Sequence, residues 1–209
     1  MSRIIAKSRN YARKASGRAS RPPLSALRID PLAGLFHRRW LVPTVAELYL
    51  MKGAKFITLL NRMEASRPAL MQTLQDKTSL SYIRKNPGYG HPLRPEYILT
   101  DAGRAIAPNC VRLMGRLRKI DAMDVCLRKW SLPVLLAIGG KPSRFGEIRY
   151  CLGLITDRAL TLALRDLVEA GLLNRRVIDS YPPTPQYQLA ARARPLLPIL
   201  RGLAGRAIL

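Results

Sequence analysis

Apolar residues recur at helical spacing in short blocks along this chain, and proline- and glycine-rich punctuation separates them. The clearest block is Asp157–Ala170, where Leu160, Leu164 and Leu167 fall on one face at i, i+4 and i+7 and so point inward. Thr156 stands where an N-cap belongs and Gly171 where a helix stops. Ahead of it, Arg144–Cys151 predicts a short helix and Gly153–Thr156 a turn. Behind it, Leu172–Ile178 and Gln186–Leu189 are β-prone runs around the tip Asp179–Pro185, a hairpin that its prolines place at a sheet edge. An opening helix is predicted around Asp121–Lys129 and a closing one over about Ala191–Ala207.

The same design is written earlier, about ninety residues upstream, so that Pro31–Arg116 answers Asp121–Arg206. Trp40 and Pro43 answer Trp130 and Pro133, Phe56 answers Phe145, Leu70 and Leu74 answer Leu160 and Leu164, and Tyr97 answers Tyr187. Each Trp precedes a proline placed for a helix's first turn; the helices that follow end at Lys52-Gly53 and at Gly139-Gly140. The upstream series then predicts helices Lys55–Arg62 and Arg67–Leu80, arms Tyr82–Lys85 and Glu96–Leu99 around the tip Asn86–Arg94, and a helix from Thr100-Asp101 toward Arg118. The apolar spacing of Leu24, Leu27, Leu32, Leu35 and Phe36 reads as short helix interrupted by Pro31. The resulting division is a disordered basic arm (1–23), a first domain (24–118) and a second (119–209).

Charge changes the picture more than composition does. The chain has 36 Lys+Arg against 13 Asp+Glu, a formal charge of +23, and self-repulsion on that scale points to a polyanion as the partner. Residues 39–126 hold fourteen cations against seven acids and residues 127–209 thirteen against five, so the binding surface belongs to the domains and not only to the arm. Nucleic acid leads and anionic lipid follows. Three cysteines without a C-x-x-C pair support neither a disulfide framework nor a zinc site, and no cofactor is expected. No apolar run reaches the ~20 residues of a membrane span. The acid-free start has the composition of a transit peptide but lacks a continuous apolar face; cytoplasmic, nucleoid-associated placement is the expectation.

The downstream series resembles the HxlR-type branch of the MarR-like winged-helix regulators. Carrying the resemblance are Arg128-Lys-Trp130, Ile138-Gly-Gly140, Arg144-Phe-Gly-Glu-Ile148, Ile155–Leu160, Leu164–Leu172, Arg175-Arg176, Pro182-Pro183, Gln186–Leu189 and Leu197–Leu200. The upstream series looks like a diverged member of the same family. It keeps Thr100-Asp-Ala-Gly103 before its last helix, where the downstream series has Ala190-Ala-Arg-Ala193. The resemblance implies a mainly α fold with small β-hairpin wings, and sequence-specific binding of double-stranded DNA, ordinarily by a homodimer of single units. With both units in one chain, the implied state is a monomer with internal pseudo-twofold symmetry, whose small-molecule effector, if any, is unknown.

Within that frame the outward face of the second recognition helix holds Arg158, Leu162 and Arg165, flanked by Thr161 and capped by Thr156. The matching face upstream shows Arg67, Pro68, Gln72 and Gln75. Arg175, Arg176, Arg84 and Lys85 lie in hairpin arms, where alternation sends one of each pair to each face. Tyr181, His91 and Arg94 sit at the tips. The bland alternative for Arg158 and Arg165 is a solvated face paired with Asp157, Asp166 or Glu169. Trp40 and Trp130 read as core anchors, with a ligand pocket as the alternative. Three functions compete: a regulator reading two unlike half-sites, a sequence-indifferent architectural protein, and a chain in which one winged helix docks a protein. No nucleophile elbow, phosphate loop or paired acidic motif points to an enzyme.

Overall fold

The computed structural model describes residues 30–86, 96–181 and 183–207. The basic arm, Leu24, Leu27 and most of the first hairpin tip, with His91 and Arg94, lie outside the described residues. The fold is mixed α and β. Two small antiparallel sheets stand among helices whose buried faces merge into one apolar cluster running from Leu32 to Ala204.

In chain order the first series is α1 (Asp30–Leu35), α2 (Leu41–Met51), β1 (Ala54–Lys55), α3 (Phe56–Arg62), α4 (Arg67–Gln75), α5 (Lys77–Leu80), β2 (Ile83–Asn86), β3 (Glu96–Leu99) and α6 (Asp101–Lys119). The second series is α7 (Met123–Cys126), α8 (Ser131–Ile138), β4 (Ser143–Arg144), α9 (Phe145–Leu152), α10 (Asp157–Glu169), β5 (Leu173–Ile178), β6 (Thr184–Leu189) and α11 (Leu196–Ala204). The sheets have the same strand order, β1-β3-β2 and β4-β6-β5. Their hairpins share a register: Ile83 faces Leu99, and Leu173 faces Leu189.

Other details recur at the same spacing. The Thr100 amide donates to the Tyr82 carbonyl, and the Ala190 amide to the Leu172 carbonyl, each at 3.0 Å. Arg38 pairs with Asp76 at 3.0 Å, and Arg128 pairs with Asp166. Both tryptophans cap a helix with proline at its third residue, and both helices end left-handed, at Lys52 (φ 60°) and Gly139 (φ 60°).

Several expectations are corrected. Pro31 is the second residue of α1 rather than an interruption, as suits a ring that fixes a helical φ and needs no donor in the first turn. The opening helix of the second series shrinks to Met123–Cys126. The predicted Arg67–Leu80 helix is two helices, because Asp76 is extended (ψ 139°) and caps the Thr78 amide. The hairpin arm carrying Pro185 is a middle strand, not an edge: two-residue β4 pairs with β6 at Tyr187 and Gln186, beyond the proline. The closing helix is broken. Thr100 Oγ1 caps α6 by accepting from the Gly103 amide at 3.1 Å, whereas Ala190 has no such oxygen. Ala191–Ala193 accordingly make one 3-10 turn before Pro195 restarts the chain as α11.

The two closing helices pack against each other, antiparallel. Arg206 Nη1 donates to the Ala105 carbonyl at 3.2 Å, and Gly202 abuts Asn109; toward the other end Arg112 and Arg116 face Ile199 and Pro195. The opening helix of each series lies on this pair as well, α1 on α11 and α7 on α6.

Gly103 sets how closely α6 approaches its hairpin, since a Cβ there would stand 2.1 Å from the Tyr82 carbonyl oxygen. Alanine favours a helix over glycine by about 1 kcal/mol, but a backbone atom cannot step aside cheaply. Gly103→Ala is therefore expected to lower stability by about 2 kcal/mol or more, read from the urea midpoint; a midpoint at or above the parent's would contradict this.

Candidate nucleic-acid interface

Helix α10 divides its residues as the spacing requires. Leu160, Ala163, Leu164 and Leu167 are buried, and Arg158, Thr161, Leu162 and Arg165 are exposed. Thr156 caps it, Oγ1 accepting from the Ala159 amide at 3.2 Å. Thr161 Oγ1 turns back to the Asp157 carbonyl at 2.8 Å, which leaves its oxygen free to accept. Arg158 makes no ion pair among the described residues, because its neighbour Asp157 is taken by Arg149 at 2.9 Å. Arg165 behaves partly as the bland alternative expects: it lies 3.6 Å from Glu169 and 3.5 Å from Asp166. Its side chain is still 62% exposed, so those contacts are weak and screened. Asp166 is committed instead to Arg128, which ties α10 to the turn before α8.

The hairpin arms depart from simple alternation. Arg175 and Arg176 are both exposed, as are Arg84 and Lys85, because the outer strands β5 and β2 carry no helix over either face at these positions. None of the four makes an ion pair among the described residues. Tyr181 stands fully exposed at the second tip, beside exposed Val177. Leu154, in the turn before Thr156, and Tyr150 on α9 are also exposed, at 87% and 80%. Sequence reading passed over both, since an isolated apolar residue in a turn carries no periodic signal.

Helix α4 offers different chemistry. Leu70, Thr73 and Leu74 are buried while Pro68, Met71, Gln72 and Gln75 are exposed. Arg67, the one cation of this helix, lays its guanidinium 5.4 Å from the Phe56 ring centroid and is thereby partly held. Trp40 and Trp130 are half-buried against the core, with Arg39 and Lys129 over their rings. Trp40 also lines a cavity of about 240 Å3 beside Glu47, a buried carboxylate paired with Arg62 at 2.8 Å. Cys110 and Cys126 are buried, and burial pushes each thiol up to about 12.

A family model described as HxlR-like helix-turn-helix matches residues 125–207. The chain is 39% identical over 75 residues to an uncharacterized HTH-type transcriptional regulator of Methanothermobacter thermautotrophicus, a stretch covering 36% of this chain and 57% of that protein. It is 34% identical over 76 residues to an uncharacterized HTH-type transcriptional regulator of Halalkalibacterium halodurans, covering 36% of this chain and 67% of the relative. The first of these relatives is thus spanned over little more than half its length. A crystal structure of a MarR-family transcriptional regulator from Porphyromonas gingivalis aligns with 27% identity and a TM-score of 0.39, over 43% of this chain and 85% of that one.

Asp76, which splits α4 from α5, is sensitive to acid. Burial pushes its pKa up, but the Arg38 hydrogen bond, the Thr78 amide and the charges of Arg38 and His37 outweigh that and hold it below 3.8. A depressed carboxylate stabilises the fold fully above its unfolded value and loses that contribution as pH falls through the folded one. Asp76→Asn is expected to be less stable than the parent at neutral pH, with the gap closing below pH 3.8. Urea midpoints across that range test it; a pH-independent gap would acquit Asp76.

Proposed function

Because the chain belongs to the HxlR-like helix-turn-helix family, we propose that it is a DNA-binding transcriptional regulator in which two winged helices form an intrachain pseudo-dimer and read two unlike half-sites of one operator. The observation carrying the DNA-binding reading is α10: a capped, leucine-anchored helix whose open side bears Arg158, Thr161, Leu162 and Arg165. Arginine suits the N7 and O6 of guanine, and leucine suits a thymine methyl. Arg175, Arg176, Arg84 and Lys85 serve as phosphate contacts, with Tyr181, His91 and Arg94 at the wing tips. On α4, Gln72 and Gln75 suit adenine, so the operator is an imperfect palindrome. The arm adds nonspecific attraction, and the protein acts in the cytoplasm on the nucleoid.

The pseudo-dimer reading is supported by registers that repeat at one spacing, and by the pair α6–α11. Shifting ninety residues turns the contact of Asn109 with Gly202 into that of Ile199 with Arg112, and Ala105 with Arg206 into Pro195 with Arg116. An interface that maps onto itself in this way is the mark of an isologous, two-fold contact. A second reading has one specific observation in its favour: α4 is cut short at Asp76, leaves Met71 and Leu80 exposed, and has its single cation stacked on Phe56. In that reading the first winged helix docks a protein and only α10 enters a groove.

Mobility-shift titrations on a selected site separate the two. On the half-site reading both Arg165→Glu and Gln75→Glu weaken binding about ten-fold or more, and the parent's affinity falls steeply with salt. A loss confined to Arg165→Glu selects the docking alternative, and a flat salt titration contradicts DNA binding altogether. Sedimentation of the full chain is expected to give a monomer; an obligate homodimer would refute the intrachain arrangement.

A further inference from the structure

The α6–α11 seam is closed at one end and open at the other. At the closed end a Cβ on Gly202 would lie 2.8 Å from Asn109 Nδ2. At the open end a groove of about 390 Å3 runs between the helices, lined by Arg112, Arg116 and Lys119 from α6 and by Pro195, Pro198 and Ile199 from α11. The ninety-residue shift carries the three cations onto Gly202, Arg206 and Leu209, so the open end holds charge that its counterpart does not.

The three cations stand at i, i+4 and i+7 on one stripe of α6, where like charges repel. None forms an ion pair or hydrogen bond among the described residues, and no acid lines the groove. Their neighbours on the same helix behave otherwise: Arg104 pairs with Asp101, and Arg118 reaches Glu47. The helix dipole accounts for cations in the last turn but not for Arg112, two turns further in. The stripe spans about 10 Å at 1.5 Å per residue, a length that suits a chain of phosphates rather than a single one. The opposite wall is apolar.

We propose that this groove binds a small molecule carrying two or three linked phosphates and a ring, with the phosphates on Arg112, Arg116 and Lys119 and the ring against Pro195, Pro198 and Ile199. Bound there, it ties α6 to α11. On the pseudo-dimer reading, from which only this regulatory consequence follows, it shifts the relative placement of α4 and α10 and so tunes operator affinity.

Calorimetry on the full chain tests the site with two probes, inorganic tripolyphosphate and a nucleoside triphosphate. Arg112→Gln/Arg116→Gln is compared with Lys77→Gln/Lys141→Gln, a control losing the same charge from exposed positions outside the groove. The groove variant is expected to weaken both probes about ten-fold or more, the control less than about two-fold, and the nucleoside triphosphate to bind the parent more tightly than tripolyphosphate. Absence of binding to the parent, equal losses in the two variants, or equal affinity for the two probes would each overturn the assignment. So would a loss of DNA affinity in the groove variant as large as that of Arg165→Glu, which would give the stripe to the duplex. Arg116→Glu, judged folded by circular dichroism, repeats the test independently. Failure of DNA binding leaves the probe titrations standing, so the two readings fail separately.

Discussion

The antiparallel contact of α6 with α11 governs where everything else stands. Each closing helix grows directly out of its hairpin, through Thr100 bonded to Tyr82 and Ala190 bonded to Leu172. The orientation of a wing is therefore inherited from the helix that follows it. Gly103 allows α6 to lie hard against its hairpin, and Gly202 allows α11 to lie hard against α6. With the opening helices α1 and α7 laid over the pair, the apolar cluster runs without a break through both series. Moving one closing helix would move a sheet, a wing and a recognition helix together.

A chain this basic has few acids, and the structure spends most of them on architecture. Asp76 and Asp166 fasten Arg38 and Arg128, Glu47 sits between Arg62 and Arg118, Asp157 holds Arg149, and Glu147 accepts from the Arg144 amide at the start of α9. What remains unneutralised is Arg158 on α10, the pairs in the hairpin arms and the seam stripe. Positive potential is thus concentrated by pairing cations elsewhere, and the net charge of +23 is a poor guide to where a polyanion meets the surface.

Local chemistry made α10 legible from sequence: a cap, a leucine stripe and a stop glycine all lie within sixteen residues of one another. The repeated Trp-x-x-Pro and the hairpin registers were legible for a related reason, since a pattern written twice discounts its own noise. Features decided at a distance were not. Asp76 breaks a helix because Arg38 waits for it, and periodicity around Asp76 continues unbroken through Leu80. Strands β1 and β4 have two residues each, too few to alternate. The stacking of Arg67 on Phe56 and the seam groove arise only when separate elements meet. The wing arms were misread because alternation presupposes a covered face, which outer strands at these positions lack.

The connection Ile120–Ala122 between α6 and α7 is three residues long, and it has an evolutionary corollary. In an assembly of identical subunits every substitution appears twice, so a change that improves one contact is forced on its mirror image. Here a residue can change on one side alone. Gln75 and Arg165 have become different readers of what was one position's task, and the seam has closed at Gly202 while staying open at Arg112. Covalent joining also removes dilution as a route to dissociation and prevents exchange of halves with paralogous chains. Division of labour between the halves can therefore be inherited as a single gene.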